Sequence, residues 1–280
     1  MGSMFQSLLQ MGALILWVAL FVILSIACEA GFRIGRARAP KGKAAEETTS
    51  ATATITGGML ALLAFMLGLT INFAQNRFEA RRDMVAVEAN AIGTAWLRAK
   101  LVGGPEGEAM AGLIHDYAKT RLEFTRAPGG GGVDALVAKT GEEQDQIWAL
   151  ATSVARKSPT PISASLIAAL NDMIDSSLSQ RFAFEGKVPG NMIGMLLAGS
   201  ILAIGALGYQ LGLTTIRQQA LTSLLLLMWT GGMVMTVDLE RPRVGDIRVE
   251  TAPLEWTIKG FEAAPPAVPI AAPSPPATAP

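Results

Sequence analysis

Uncharged runs long enough to cross a bilayer alternate along this chain with stretches that place apolar residues at helical spacing among charges. Met1 to Cys28, Thr48 to Asn76, Val188 to Ile216 and Gln218 to Val237 contain no Asp, Glu, Lys or Arg, and about 20 such residues span the hydrocarbon core. Each predicts a transmembrane helix. The second run does not stop at the membrane edge. ITGGMLALLAFMLGLTINFA leads without Pro or loop punctuation into QNRFEARRDMVAVEANAIGTAWLRAKL, which keeps good helix formers and helical apolar spacing. At about 1.5 Å per residue a continuous helix from Ile55 to Leu101 is roughly 70 Å long, so more than half projects beyond the bilayer. Its apolar positions need other helices of the chain, or the same helix of other subunits.

The chain then breaks at Gly103-Gly104-Pro105, with Pro105 suited to a first helical turn. Met110, Leu113, Ile114, Tyr117 and Phe124 mark an amphipathic helix to about Thr125. After a turn at Pro128 to Gly132, Glu142 to Lys157 reads as a short helix with Ile147, Leu150, Ala151 and Val154 on one face. Pro159 and Pro161 end it, and Ser163 to about Phe184 forms another, with Leu166, Leu170, Met173, Ile174 and Leu178 inward. The expected fold is all-α: four transmembrane helices, the second continuing into a long extramembrane helix packed in a small helical bundle. The segments are 1–47, first span and basic loop; 48–101, second span and extension; 102–187, bundle; 188–238, a transmembrane hairpin; 239–262, a post-membrane segment; and 263–280, a disordered Pro/Ala-rich tail. Ile247 to Val249 and Trp256 to Ile258 read as short extended pieces.

No Lys or Arg precedes the first span and no A-x-A site ends it, so it reads as an uncleaved anchor; Ser25-Ile26-Ala27-Cys28 resembles a lipoprotein site only without its charged n-region. Formal net charge is +0, too balanced for a nucleic-acid partner. One cysteine, Cys28, and one histidine, His115, leave no internal disulfide, Cys-based zinc site, imidazole metal cluster or Ser-His-Asp triad within a chain. No catalytic, cofactor or metal residue is assigned, and the chain reads as a non-enzyme. His115 and Cys28 read as packing residues. Gly208 and Gly212 form a GxxxG-like pair among glycines suited to close helix packing, or to oligomerisation.

Asn72, Asn76, Glu79 and Asp83 follow one another at spacings of four, three and four, along one helical face at and beyond the membrane edge. On a pore-lining helix they form polar and acidic rings favouring cations at the mouth; otherwise Asn72 bonds a neighbouring helix and the others meet solvent. Arg77 and Arg81 share another face, suited to anions, lipid headgroups or interfacial anchoring. Asp238 closes the fourth span, and a latch from Asp238 to Arg77 or Arg81 is one reading of the charges there. An ordinary interfacial cluster is the other.

The segment NRFEARRDMVAVEANAIGTAWLRAKL after an apolar run, with the later DLERPRVGDIRVETAPL after another, resembles the bestrophin-like family of bacterial membrane proteins of unknown function. The resemblance rests on Arg77, Glu79, Arg81, Glu88, Asn90, Gly93, Thr94, Leu97 and Arg98, and on Asp238, Arg241, Pro242, Gly245 and Arg248; Asn171, Asp175 and Arg181 form a weaker third element. It covers about residues 5 to 255. It implies a distant similarity to bestrophins, which are oligomeric anion channels with four spans per subunit and cytosolic termini and domain; no acidic run like their calcium clasp is present. The resulting expectation is a multi-pass inner-membrane protein forming a homo-oligomeric ion channel, with lipid and an inorganic ion as partners. The alternative is a non-conducting membrane scaffold or sensor whose bundle binds another protein. Arg33, Arg36, Arg38, Lys41 and Lys43 after the first span place the bundle in the periplasm by the positive-inside rule. The basic residues flanking the other spans, and the resemblance, place it in the cytoplasm.

Overall fold

The computed structural model describes residues 12–39, 43–128, 131–186, 190–214 and 217–263. Among these no strand occurs. The helices are α1 (Ala13–Ala37), α2 (Lys43–Val102), α3 (Gly104–Arg126), α4 (Gly131–Lys157), α5 (Pro161–Glu185), α6 (Gly190–Thr214), α7 (Gln219–Leu239) and α8 (Ala252–Ala263). Four helical stretches are long and apolar enough to cross a membrane, and they contain α1, α2, α6 and α7. The Pro/Ala-rich tail from Ala264 onward lies outside the described residues.

The chain divides into two compact units, one built from residues up to Arg82 with Phe182–Val249, the other from Asp83–Arg181 with Glu250 onward. In the first, Leu16, Leu20 and Leu24 of α1, Leu63 and Leu67 of α2, Leu196 and Ile204 of α6, and Trp229 and Met233 of α7 share one apolar core. Glycine sets the closest approach. A Cβ added at Gly208 or Gly212 of α6 would run into the carbonyl oxygens of Cys28 or Phe32 on α1, and one added at Gly31 would meet that of Gly205. The GxxxG-like pair thus serves packing inside the chain, where small residues let backbones touch. Two indoles bridge the spans: Trp17 Nε1 donates to Thr230 Oγ1 at 2.8 Å and Trp229 Nε1 to Ser200 Oγ at 3.0 Å.

In the second unit α2 buries Val85, Ala89, Ile92, Ala95, Trp96 and Ala99 at helical spacing, α3 buries Met110, Ile114, Tyr117 and Phe124, and α5 buries Leu166, Leu170 and Met173. Gly103 and Gly104 take φ of 69° and 65°, the left-handed region that glycine enters at least cost, and this reverses the chain between α2 and α3. Thr160 and Ser163 cap α5 reciprocally: Ser163 N donates to Thr160 Oγ1 at 3.2 Å and Thr160 N to Ser163 Oγ at 2.9 Å.

Three expectations are corrected. Leu178 is 66% exposed, because it falls in register with Ala164, Ala168, Asn171 and Asp175 on the outer face of α5. α4 begins at Gly131, a good ten residues ahead of the start its apolar stripe marks. Trp256 to Ile258 are helical, within α8, while Ile247 to Val249 form no strand. Pro253 occupies the first turn of α8, where its missing N–H costs nothing, and Leu254 and Ile258 bury at helical spacing with Phe261 stacked on Trp96 at 4.6 Å.

Candidate functional site

In the membrane unit, α2 presents an open face along Ile55, Gly58, Leu62, Phe65, Leu69, Asn72, Asn76 and Glu79, all exposed. Their alternating spacing of three and four keeps them on one side of the helix. The face changes character along its length. Leu62 and Phe65 are 62% and 63% exposed, and beyond Leu69 the same register carries only polar groups. Asn76 Nδ2 donates to Asn72 Oδ1 at 3.2 Å and Gln75 Nε2 to Glu79 Oε1 at 3.1 Å. In the second unit the corresponding register of α2 exposes Asp83, Val87, Asn90, Thr94, Leu97 and Leu101.

Arg81 sits on the opposite side of α2 and is 1% exposed. Its guanidinium donates from Nη1 to the Leu239 carbonyl at 3.0 Å, from Nη2 to that of Gly186 at 2.8 Å, and from Nε to that of Ala183 at 3.2 Å. These carbonyls lie at the C-terminal ends of α7 and α5, which lack intrahelical partners and carry the negative end of the helix dipole. Glu240 Oε2 stands 3.7 Å from Arg81 Nη2, and its Oε1 stands 3.9 Å from Arg77 Nε. The latch expected of Asp238 is therefore made by Glu240. Asp238 turns the other way, accepting from Asp246 N at 3.0 Å and Ile247 N at 2.9 Å. The reason is local: Pro242 ends the helix, the chain folds back through Arg241 N to Asp238 O and Gly245 N to Arg241 O, each 2.9 Å, and the Asp238 carboxylate takes up the amide donors that follow. Gly245 fits because a Cβ there would lie 2.7 Å from Asp238 Oδ1. Arg248 Nε closes the loop on the Gly245 carbonyl at 3.1 Å.

Glu88, 0% exposed, meets Arg121 of α3: Nε donates to Glu88 Oε1 at 2.5 Å and Nη2 to Gln180 Oε1 at 2.5 Å. The guanidinium also stacks over Phe124 at 4.3 Å. Burial pushes the Glu88 carboxyl above its ordinary range against the opposing pull of Arg121. Beside it Gln144 Nε2 donates to Tyr117 Oη at 3.2 Å and to Ser177 Oγ at 2.9 Å. Burial, with the Glu88 charge adding to it, raises the Tyr117 hydroxyl to about 12. Arg98 Nη1 donates to the Ser165 carbonyl at 2.6 Å, and Gly93 is half-buried with Thr257 nearby.

The residues singled out from sequence thus part into two groups. Arg77, Arg81, Glu88, Arg98, Asp238, Arg241, Pro242 and Gly245 hold helix ends, helix pairs or the loop after α7. Asn72, Asn76, Glu79, Asp83, Asn90 and Thr94 lie on the open register of α2. Glu240 belongs to the charge cluster after the fourth span, where Asp238 is the candidate partner of the arginines; Arg121 and Gln180 are not singled out by the sequence, although Arg121 falls in step with the buried stripe Met110, Ile114, Tyr117.

A family model described as the Bestrophin-like domain matches residues 8–254. A solved structure of a point mutant of a bacterial Bestrophin homolog from Klebsiella pneumoniae is similar to this fold with a TM-score of 0.64 and 11% sequence identity, covering 88% of this chain and 97% of that chain. No curated protein matches the sequence.

Proposed function

The chain belongs to the Bestrophin-like family, and from that premise we propose that it assembles with copies of itself into an ion-conducting pore lined by the open face of α2. The observation that carries this reading is the continuity of that face: Ile55, Leu62, Phe65 and Leu69 share a register with Asn72, Asn76 and Glu79. Amide side chains within a span are turned toward protein or a water-filled cavity, not toward lipid tails. On one helix the apolar residues in the same register turn the same way. Around a symmetry axis they form a narrow apolar constriction, of the kind that gates by dewetting. Glu79 then stands at the mouth, where a ring of carboxylates raises the local concentration of cations. The membrane is the bacterial inner membrane.

A second reading, a non-conducting scaffold, draws on the exposed register of α5, Ala164, Ala168, Asn171, Asp175 and Leu178, which offers a partner a mixed small, polar and apolar face. Cysteine accessibility separates the two. In a Cys28→Ser background, Asn72→Cys, Asn76→Cys and Glu79→Cys each lose ion flux on treatment with a charged thiol reagent, whereas Phe73→Cys, exposed on the flank of α2, does not. Equal indifference of all of these variants removes the pore from α2.

A further inference from the structure

A cavity of about 280 Å³ opens between α1, the end of α6 and the start of α7. Phe32, Leu211 and Leu226 give it an apolar floor, while Glu29, Arg217 and Thr222 supply polar lining. Its position is set by the sequence. Glu29 is the first charged residue of the chain, directly after the uncharged run to Cys28, and Arg217 is the last before the uncharged run from Gln218 to Val237. The two charges that bound neighbouring spans therefore share one cavity, at the level where hydrocarbon gives way to headgroups.

The charges do not cancel there. Arg217 Nη2 lies 3.3 Å from Glu29 Oε1, and its guanidinium rests 4.5 Å over the Phe32 ring. Glu29 also accepts from Arg33 Nε at 2.9 Å, so its carboxylate has a cationic partner without Arg217. Arg217 reaches it with one of the five N–H donors of a guanidinium, and its side chain is 45% exposed. Arg36 and Arg38 on the same end of α1 add further positive charge. The start of α7 borders the same space, with no side-chain cap at Gln218. Ile26 and Leu221, on the two spans whose residues line the cavity, are each 63% exposed and offer apolar surface that acyl chains can cover.

We propose that this cavity binds the phosphate of an anionic glycerophospholipid, held by Arg217 over Phe32, with the lipid's chains descending beside Ile26 and Leu221. Guanidinium forks suit phosphate oxygens, and the Phe32 ring beneath the guanidinium holds its plane toward the open space of the cavity. Glu29 competes with the phosphate for Arg217, which makes the site's response to two substitutions opposite in sign.

The test is lipid retention by the full-length protein in detergent, read by native mass spectrometry with phosphatidylglycerol, phosphatidylcholine and inorganic phosphate as probes. Phosphatidylglycerol is retained in preference to phosphatidylcholine; Arg217→Gln weakens its binding about tenfold, the effect of losing one charge-assisted contact, and Glu29→Gln strengthens it severalfold. Glu29→Gln keeps Arg217 and its packing, so it still reads the site if Arg217→Gln fails to fold. Binding that neither variant changes, or that both weaken alike as a structural bridge would, overturns the proposal. So does saturation by inorganic phosphate with the same dependence on Arg217 and no advantage for the lipid. The readout needs no conduction, so its failure is distinct from failure of the pore reading.

Discussion

Arg121 and Tyr117 carry the sharpest consequences at the scale of single residues. Arg121→Met leaves Glu88 as a buried carboxylate with its cation removed, a change that costs about 3–5 kcal/mol. Adding Glu88→Gln takes that charge away and recovers part of the loss, which thermal melting of the two variants in detergent measures. Tyr117 holds its proton to about 12 in the folded protein, against about 10 in an unfolded chain. The native state therefore binds the proton more tightly. Its stabilising contribution is complete below pH 10 and lost as pH rises through 12. Tyr117→Phe removes this alkaline slope while costing about 1 kcal/mol at neutral pH for the lost hydrogen bond; melting of wild type and variant across the same pH range compares them. Glu88 is visible in the sequence through the motif in which it lies. Its partner is not, because Arg121 is 33 positions away on another helix, and helical periodicity says that a position is buried without saying what it meets. The latch takes Glu240 in place of Asp238 for a related reason. Asp238 and Glu240 are equally placed in sequence, and only the turn after Pro242 decides that one caps the loop and the other faces the arginines.

Between elements, the seam of α1 and α6 and the placement of α8 separate what spacing predicts from what packing decides. Gly208→Ala places a methyl against the Cys28 carbonyl, so the two helices must part, at about 1–3 kcal/mol for overpacking. Gly57→Ala, whose Cβ meets nothing within 4 Å, leaves the melting temperature unchanged or raises it. Equal effects of the two substitutions would mean that the seam does not form. The spans themselves were legible, since a charge-free run of that length has few other uses. The helix α8 was not: Glu255-Trp256-Thr257-Ile258 joins an aromatic residue to β-branched ones, a composition that favours strands, and the outcome turned on Leu254, Ile258 and Phe261 finding apolar partners. Leu178 was misplaced for the converse reason, an apolar residue that periodicity alone assigns to the core but whose register faces outward.

For the whole molecule, the all-α architecture and the family were carried by motifs that the structure now explains as fastenings: Arg81 on helix ends, Asp238 on its loop, Glu88 with Arg121. Those residues account for a fold, and a fold by itself does not specify a function. The functional claim rests instead on residues that fasten nothing within a single chain, the open register of α2. Phe65→Ala widens an apolar constriction and raises unitary conductance, whereas the same truncation on a lipid-facing helix leaves conductance as it was. Glu79→Gln removes the charge at the mouth and lowers cation preference without abolishing conduction. The direct measurement is current through purified protein of determined subunit number in a planar bilayer, comparing wild type, Phe65→Ala and Glu79→Gln. The account predicts an oligomer that conducts, with conductance raised by the first substitution and reversal potential moved toward that of the anion by the second. A monomer that passes no current, or an oligomer whose current ignores both, contradicts it.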